Sequence, residues 1–261
     1  MRERTGSLVV VLAPIAGVLV LVGVLFVVVL PRWGVVGAHS TSVPDPSWAS
    51  PAAQAPVANP TGAPGTTADI TALVDPTWAE RVATATGIPD RAVLAYAGAA
   101  LQKATTAPAC RLSWTTLAAI GDVESSNGQH GGSSIGPDGT VTPPIFGVAL
   151  DGHGVALIPD SDGGAIDGDA KSDRAVGPMQ LIPQTWRNWH TDGNGDGIED
   201  PQNIDDAVVA TTNYLCRAST ALDTEKGWRA AIAAYNSTDA YLAEVARVAV
   251  AYNAAAAKAA G

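Results

Sequence analysis

Positive charge is scarce in this chain: 15 Lys and Arg stand against 25 Asp and Glu in 261 residues, a formal net charge of −10. With no basic stripe to offset it, this balance excludes nucleic acid or another polyanion as the partner. Cysteine is nearly absent. Cys110 and Cys216 are too far apart for a CxxC redox site or a zinc knuckle, which leaves a disulfide or two buried thiols. Runs of alternating strands are missing and no internal repeat is present, so the expected fold is mainly α. Histidine is also rare; His130 and His153 fall in loops and read as polar loop residues, not metal ligands. With 47% hydrophobic and 15% charged residues, the chain allows one sizeable domain plus accessory segments.

One long apolar run is present. Leu8 to Leu30, "LVVVLAPIAGVLVLVGVLFVVVL", carries no charge and has the length of a membrane-spanning helix. Arg2 and Arg4 outweigh Glu3 on its N-terminal side and favour that end remaining cytoplasmic, although Arg32 on the other flank weakens the bias. The alternative is a cleaved secretory signal, with Val36 and Ala38 as the small-residue cleavage site. Both readings place the rest of the chain outside the cytoplasm. There, a Cys110–Cys216 disulfide is favoured over free thiols.

The expected organisation is a cytoplasmic stub and transmembrane anchor over 1–34, a Pro/Ala/Ser/Thr-rich linker over 35–70 and a globular domain over 71–257. A largely extended linker of this length would reach on the order of 100 Å, at about 3.1 Å per residue. Asp75 followed by Pro76 reads as an N-cap and first helical residue, and that helix closes on Gly87. A second helix follows Pro89, and a third runs from Ser113 as N-cap to Glu124. Later helices are expected at "PMQLIPQTWRNW", "NIDDAVVATTNYLCRA", "EKGWRAAIAAYN" and "TDAYLAEVARVAVAYNAAAAKAA", with a short hairpin around "GTVTPPIFGVAL".

Three stretches carry chemistry. The third helix brings the lone Glu124 to its last turn before dissolving into "SSNG". A carboxylic acid that donates a proton near neutral pH needs a raised pKa, which burial and the negative end of a helix both promote. The second stretch is "AVGPMQLIPQTWRNW", with Met179 and Gln180 expected to face a cleft. The third is "AAIAAYN", with Tyr235 and Asn236 at a helix end. A second carboxylate to pair with Glu124 is missing: Asp122, two residues away, points to another face of the helix.

"ESSNG" after an apolar helix, "GPMQLIPQTW", an acidic Gly-rich loop and "AAYN", in that order, resemble the lytic murein transglycosylases of the membrane-bound B type. The resemblance covers roughly Asp75 to Tyr252. It implies a lysozyme-like helical domain with Gly/Asp-rich loops, acting on peptidoglycan glycan strands and leaving a 1,6-anhydromuramyl end. Glu124 would be the single acid and base, with the sugar's own C6 hydroxyl as nucleophile, so that no second carboxylate is required. Ser125 would orient Glu124, Gln180 would bind substrate polar groups, Met179 would form apolar wall, and Tyr235 and Asn236 would line the cleft. Leu181 stands where the family commonly has Phe. The rival readings are a water-using muramidase and a catalytically silent wall-binding module. No organic cofactor is implied.

The acidic loop "DGNGDGIEDPQN" places Asp192, Asn194 and Asp196 at positions one, three and five of an EF-hand-like pattern, Gly197 at six, and the Ile198 carbonyl and Asp200 at seven and nine. These oxygens predict a structural calcium ion. Asn203 holds the twelfth position in place of a bidentate Glu, with Asp205 or Asp206 as substitutes. A second acidic stretch, containing Asp160, Asp162, Asp167 and Asp169, has irregular spacing and reads as a surface turn.

Overall fold

The computed structural model describes residues 55–61 and 69–259. The expected anchor Leu8–Leu30, the alternative cleavage site and most of the linker lie outside the described residues. Among the described residues, no helix is long and apolar enough to cross a membrane. The chain forms α1 (Pro76–Thr86), α2 (Asp90–Thr106), α3 (Trp114–Ser125), α4 (Pro183–Trp189), α5 (Ile204–Ala218), α6 (Glu225–Tyr235) and α7 (Asp239–Ala259), preceded by a 3-10 turn at Ile70–Leu73.

Local signals set most of these boundaries. The Asp75 carboxylate accepts from the Trp78 amide at 2.8 Å and Gly87 closes α1 at φ 76°. Ser113, Asn203 and Thr224 cap α3, α5 and α6 with side-chain oxygens. Each cap satisfies an amide that the helix leaves without an internal partner. The docked part of the chain starts earlier than residue 71. Residues 57–59, within the expected linker, bond to the start of the domain through Asn59 N to Leu73 O (2.8 Å) and Asp75 N to Val57 O (2.9 Å).

α3 is the central helix. Trp114 to Gly121 is buried on every face, among α2, α5 and α7, as expected for a helix apolar all round. Its polar Thr116 is paired with the indole N–H of Trp228 at 3.1 Å. Gly121 lets Tyr96 lie against the backbone, since a Cβ there would come within 2.0 Å of the Tyr96 hydroxyl. The Cys110–Cys216 disulfide joins the turn before α3 to the last turns of α5, across 106 residues.

The hairpin differs from expectation. β1 (Ser134–Ile135) pairs with β2 (Val141–Thr142), so the first strand begins upstream of Gly139. Pro143 and Pro144 lack amide donors and stop the ladder. Beyond them the chain forms a flap of single bridges, Phe146 with Val176, Asp151 with Leu157 and Pro159 with Ser172.

Candidate active site

The acidic end of α3 is shaped by its termination. Ser126 and Asn127 take positive φ (52° and 56°), and their amides return to Asp122 O and Gly121 O, at 2.8 and 2.9 Å. These bonds use carbonyls at the helix end that would otherwise be orphaned. Glu124, one residue from that end, is only partly exposed and its carboxyl group lies within the protein. Burial raises its pKa from 4.5 to about 7, opposed by a hydrogen bond that Tyr241 donates to Oε1 at 2.6 Å. The negative end of α3 acts in the same direction as burial. The Tyr241 phenol is itself pushed well up, by burial first and then by the Glu124 charge, so it remains a donor.

Tyr241 is the functional candidate that pattern reading passed over. It stands one turn into α7, on the buried side with Val245 and Val248, where an aromatic reads as core. Its chemistry becomes visible only when α7 packs against α3.

The expected helix at "PMQLIPQTWRNW" starts late, at Pro183. Before it, Val176 and Leu181 bond to each other in both directions (2.9 and 3.1 Å), closing residues 177–180 into a tight turn with Gln180 at φ 49°. At Gly177, with φ 74°, a Cβ would come within 1.7 Å of Pro201 O, so the turn requires glycine there. Two hydroxyls hold its carbonyls: Ser125 donates to Pro178 O at 2.6 Å and Tyr235 to Met179 O at 2.5 Å.

These contacts alter the expected geometry. Ser125 ties the end of α3 to the 177–180 turn; its hydroxyl donates toward Pro178 O and Gly121 O and accepts from the Gly128 amide. Met179 is fully buried in the core and is no wall of an open cleft. Asn236 is extended, not left-handed, and its side-chain oxygen accepts from Thr238 N and Oγ1 at 3.1 and 3.0 Å, leading into α7. Gln180 and Tyr235 do meet, in the wall of one pocket. Glu124 joins them through Tyr241, whose ring is stacked with Tyr235 at 6.4 Å between centroids and 11° between planes.

Asp122 is engaged elsewhere. Its Oδ1 accepts from Asn127 Nδ2 (3.1 Å) and from the Tyr252 hydroxyl (2.9 Å). The other acid of α3 is therefore tied to α7 and to the turn that ends its own helix.

In the acidic loop, Asp192 accepts from the Gly195 and Gly197 amides (2.6 and 2.9 Å), Asp196 from Ile198 N (2.7 Å) and Asp200 from Gln202 N (2.8 Å). Asn203 caps α5 and Asp205 pairs with Arg91, so neither turns to the loop. Asp206 does: fully buried, it accepts from Gly193 N at 2.7 Å and Asp200 N at 2.9 Å. Burial raises its pKa to about 6, partly offset by those amides. The side-chain oxygens at alternate positions are of the type a hard cation takes, while Asp206 meets the loop through the loop's own backbone amides. The one group of three acidic side chains that converges among the described residues is elsewhere, Asp160, Asp162 and Asp173 in the flap. These residues close the flap's turns, with Asp160 accepting from the amides of 162, 163 and 164, and Asp173 from Ser161 N and Oγ.

The family model described as Transglycosylase SLT domain matches residues 101–260, more than half of the chain. The protein belongs to this transglycosylase family. No curated protein and no solved structure matches the chain. The match begins inside α2 and takes in α3, the 177–180 turn, the acidic loop, α6 and Tyr241. Membership makes this an enzyme domain of the lytic transglycosylase type, with the glycan of peptidoglycan as its substrate. On this transglycosylase domain, Glu124 and Tyr241 are joined at the end of α3, and Tyr241 stacks on Tyr235, which with Gln180 lines the neighbouring pocket.

Proposed function

We propose that this transglycosylase, of the membrane-bound B type, cleaves the bond between N-acetylmuramic acid and N-acetylglucosamine and leaves a 1,6-anhydromuramyl end. The observation that carries the reading is the buried carboxyl of Glu124, with a pKa of about 7, beside a phenol donor. As an acid, Glu124 gives its proton to the glycosidic oxygen while the bond from that oxygen to the muramyl anomeric carbon breaks. As a carboxylate, it then takes the proton of the muramyl C6 hydroxyl as O6 bonds to the same carbon. Glu124 ends protonated and no water is consumed. A group with pKa near the working pH is suited to both transfers. Tyr241 fixes the carboxyl's orientation, and Gln180 and Tyr235 hold the strand.

Mass spectrometry of soluble products from digested sacculi tests this reading. Muramyl ends lighter by one water than a hydrolytic product are expected; products carrying that water would overturn the transglycosylase chemistry in favour of a muramidase. No release at all would leave a silent wall-binding module.

We propose further that Leu8–Leu30 anchors the enzyme in a single pass, with its catalytic domain outside the cytoplasm. A structural calcium ion at Asp192, Asn194, Asp196, the Ile198 carbonyl and Asp200 is supported by the alternate-residue oxygen spacing. Chelation is expected to lower the melting temperature of the wild type and to leave that of Asp192→Ala unchanged. An unaffected wild type would rule out the ion.

A further inference from the structure

We propose that Asp122, Asn127 and Tyr252 are positioning residues of the reaction: their hydrogen-bonded chain locks α7 against the end of α3 and so holds Tyr241 on the Glu124 carboxyl. This rests on Glu124 being the proton donor of the proposed transglycosylation. It gives a part to Asp122, the acid of α3 that the chemistry itself leaves unused.

The chain of bonds has one direction. The Tyr96 hydroxyl of α2 donates to Asn127 Oδ1 at 3.0 Å. Asn127 Nδ2 donates to the Tyr252 hydroxyl at 3.0 Å and to Asp122 Oδ1 at 3.1 Å, and Tyr252 donates to the same Asp122 oxygen at 2.9 Å. The oxygen and the nitrogen of the buried Asn127 amide are thus both engaged. Turning that amide over would set its oxygen against the Asp122 carboxylate, so the charge of Asp122 fixes the order of the whole chain. The Tyr252 phenol is pushed up by burial first and then by the Asp122 charge, so it remains a donor. Arg247 of α7 also feels that charge, but its guanidinium is paired with Glu244. The Tyr96 hydroxyl reaches Asn127 because position 121 is glycine, where a Cβ would come within 2.0 Å of it.

Asp122 and Glu124 leave α3 on different faces. Tyr241 and Tyr252 lie on one side of α7, about three turns or roughly 16 Å apart along its axis. α7 is therefore held at two separated points, which set its angle to α3 as well as its height. Without the second point, α7 is free to pivot about the first, and the 2.6 Å bond from Tyr241 to Glu124 Oε1 survives only a small displacement. Coupling of this kind has a signature that general destabilisation lacks, because the effects of breaking the two points do not add.

The test measures the Glu124 pKa and the rate in full-length protein in detergent, for the wild type, Tyr241→Phe, Tyr252→Phe and the double variant. The pKa is read from the carboxyl ¹³C shift of glutamate-labelled protein, with Glu124→Gln assigning the signal, and needs no turnover. Tyr241→Phe removes a bond that favours the carboxylate and should raise the pKa by about one unit. Tyr252→Phe should raise it too, lower kcat about tenfold with KM within about twofold, and add nothing to Tyr241→Phe in the double variant. Asp122→Leu, which removes the acceptor, should behave as Tyr252→Phe does, and Asp122→Asn, which keeps an acceptor oxygen, should recover most of the lost kcat. Asp122 is only partly buried, so its two variants supply the comparison if Tyr252→Phe does not fold. A pKa unmoved or lowered in folded Tyr252→Phe, or shifts that add in the double variant, would overturn the role. Coupled pKa values in a protein that releases no anhydro ends would overturn the reaction and retain the lock; anhydro products with uncoupled pKa values would do the reverse.

Discussion

Glu124→Gln is expected to reduce release of glycan fragments by about 10³- to 10⁴-fold, the upper range for removing a group that performs proton transfer. Gln keeps the shape and can still accept from Tyr241, so the loss isolates the proton. Loss of less than tenfold would remove Glu124 from the chemistry. The same substitution has a predictable effect on stability. Burial raises the Glu124 pKa from 4.5 to about 7, so the folded protein binds a proton more tightly than the unfolded chain. Stability from this group is fully present below pH about 4.5 and is lost as pH rises through about 7. Glu124→Gln should therefore abolish that decline and be more stable than the wild type at pH 8, by roughly 3 kcal/mol. Denaturant unfolding at pH 4 and pH 8 checks it; an equal difference at both pH values would show that the carboxyl is not held protonated. Activity of the wild type should fall through the same alkaline range, because the acid form starts the reaction.

Removing the Cys110–Cys216 bond by the double change to Ala is expected to cost about 4 kcal/mol, from the entropy of a loop closed over 106 residues. For a domain of this size that corresponds to a fall of about 10 °C in melting temperature. Activity should fall at temperatures where the fold survives, because the bond fastens two parts of the site: Cys110 precedes α3, which carries Glu124, and Cys216 follows Tyr214 by two residues on α5. Calorimetry of the wild type with and without reductant, beside the double variant, measures the effect. An unchanged melting temperature would mean that the packing of α3 against α2, α5 and α7 suffices by itself.

Where one short segment contained all the physics, pattern reading was accurate. Asp75 and Ser113 cap their helices from adjacent positions, and Gly87 adopts the left-handed conformation that ends α1. The pairing of the cysteines followed from the expected oxidising compartment. The 177–180 turn reads as helix because its apolar residues have helical spacing, while the groups that hold the turn in place, Ser125, Tyr235 and Ile145, are far away in the chain. Met179 reads as a cleft residue for the same reason: a Met beside a Gln shows no sign of which one turns inward. Asp205 and Asp206 are equivalent by pattern, and only the fold shows that Arg91 takes Asp205.

By itself, the amino-acid sequence determined a mainly helical domain, the position of a lone carboxylate near a helix end, the order of the family's motifs and a surface unsuited to polyanions. Those properties depend on periodicity, charge and residues close along the chain. Tertiary structure decided which groups make Glu124 an acid. Its raised pKa comes from surrounding bulk and its partner Tyr241 from a helix 117 residues later, and desolvation and hydrogen bonding are set by neighbours in space.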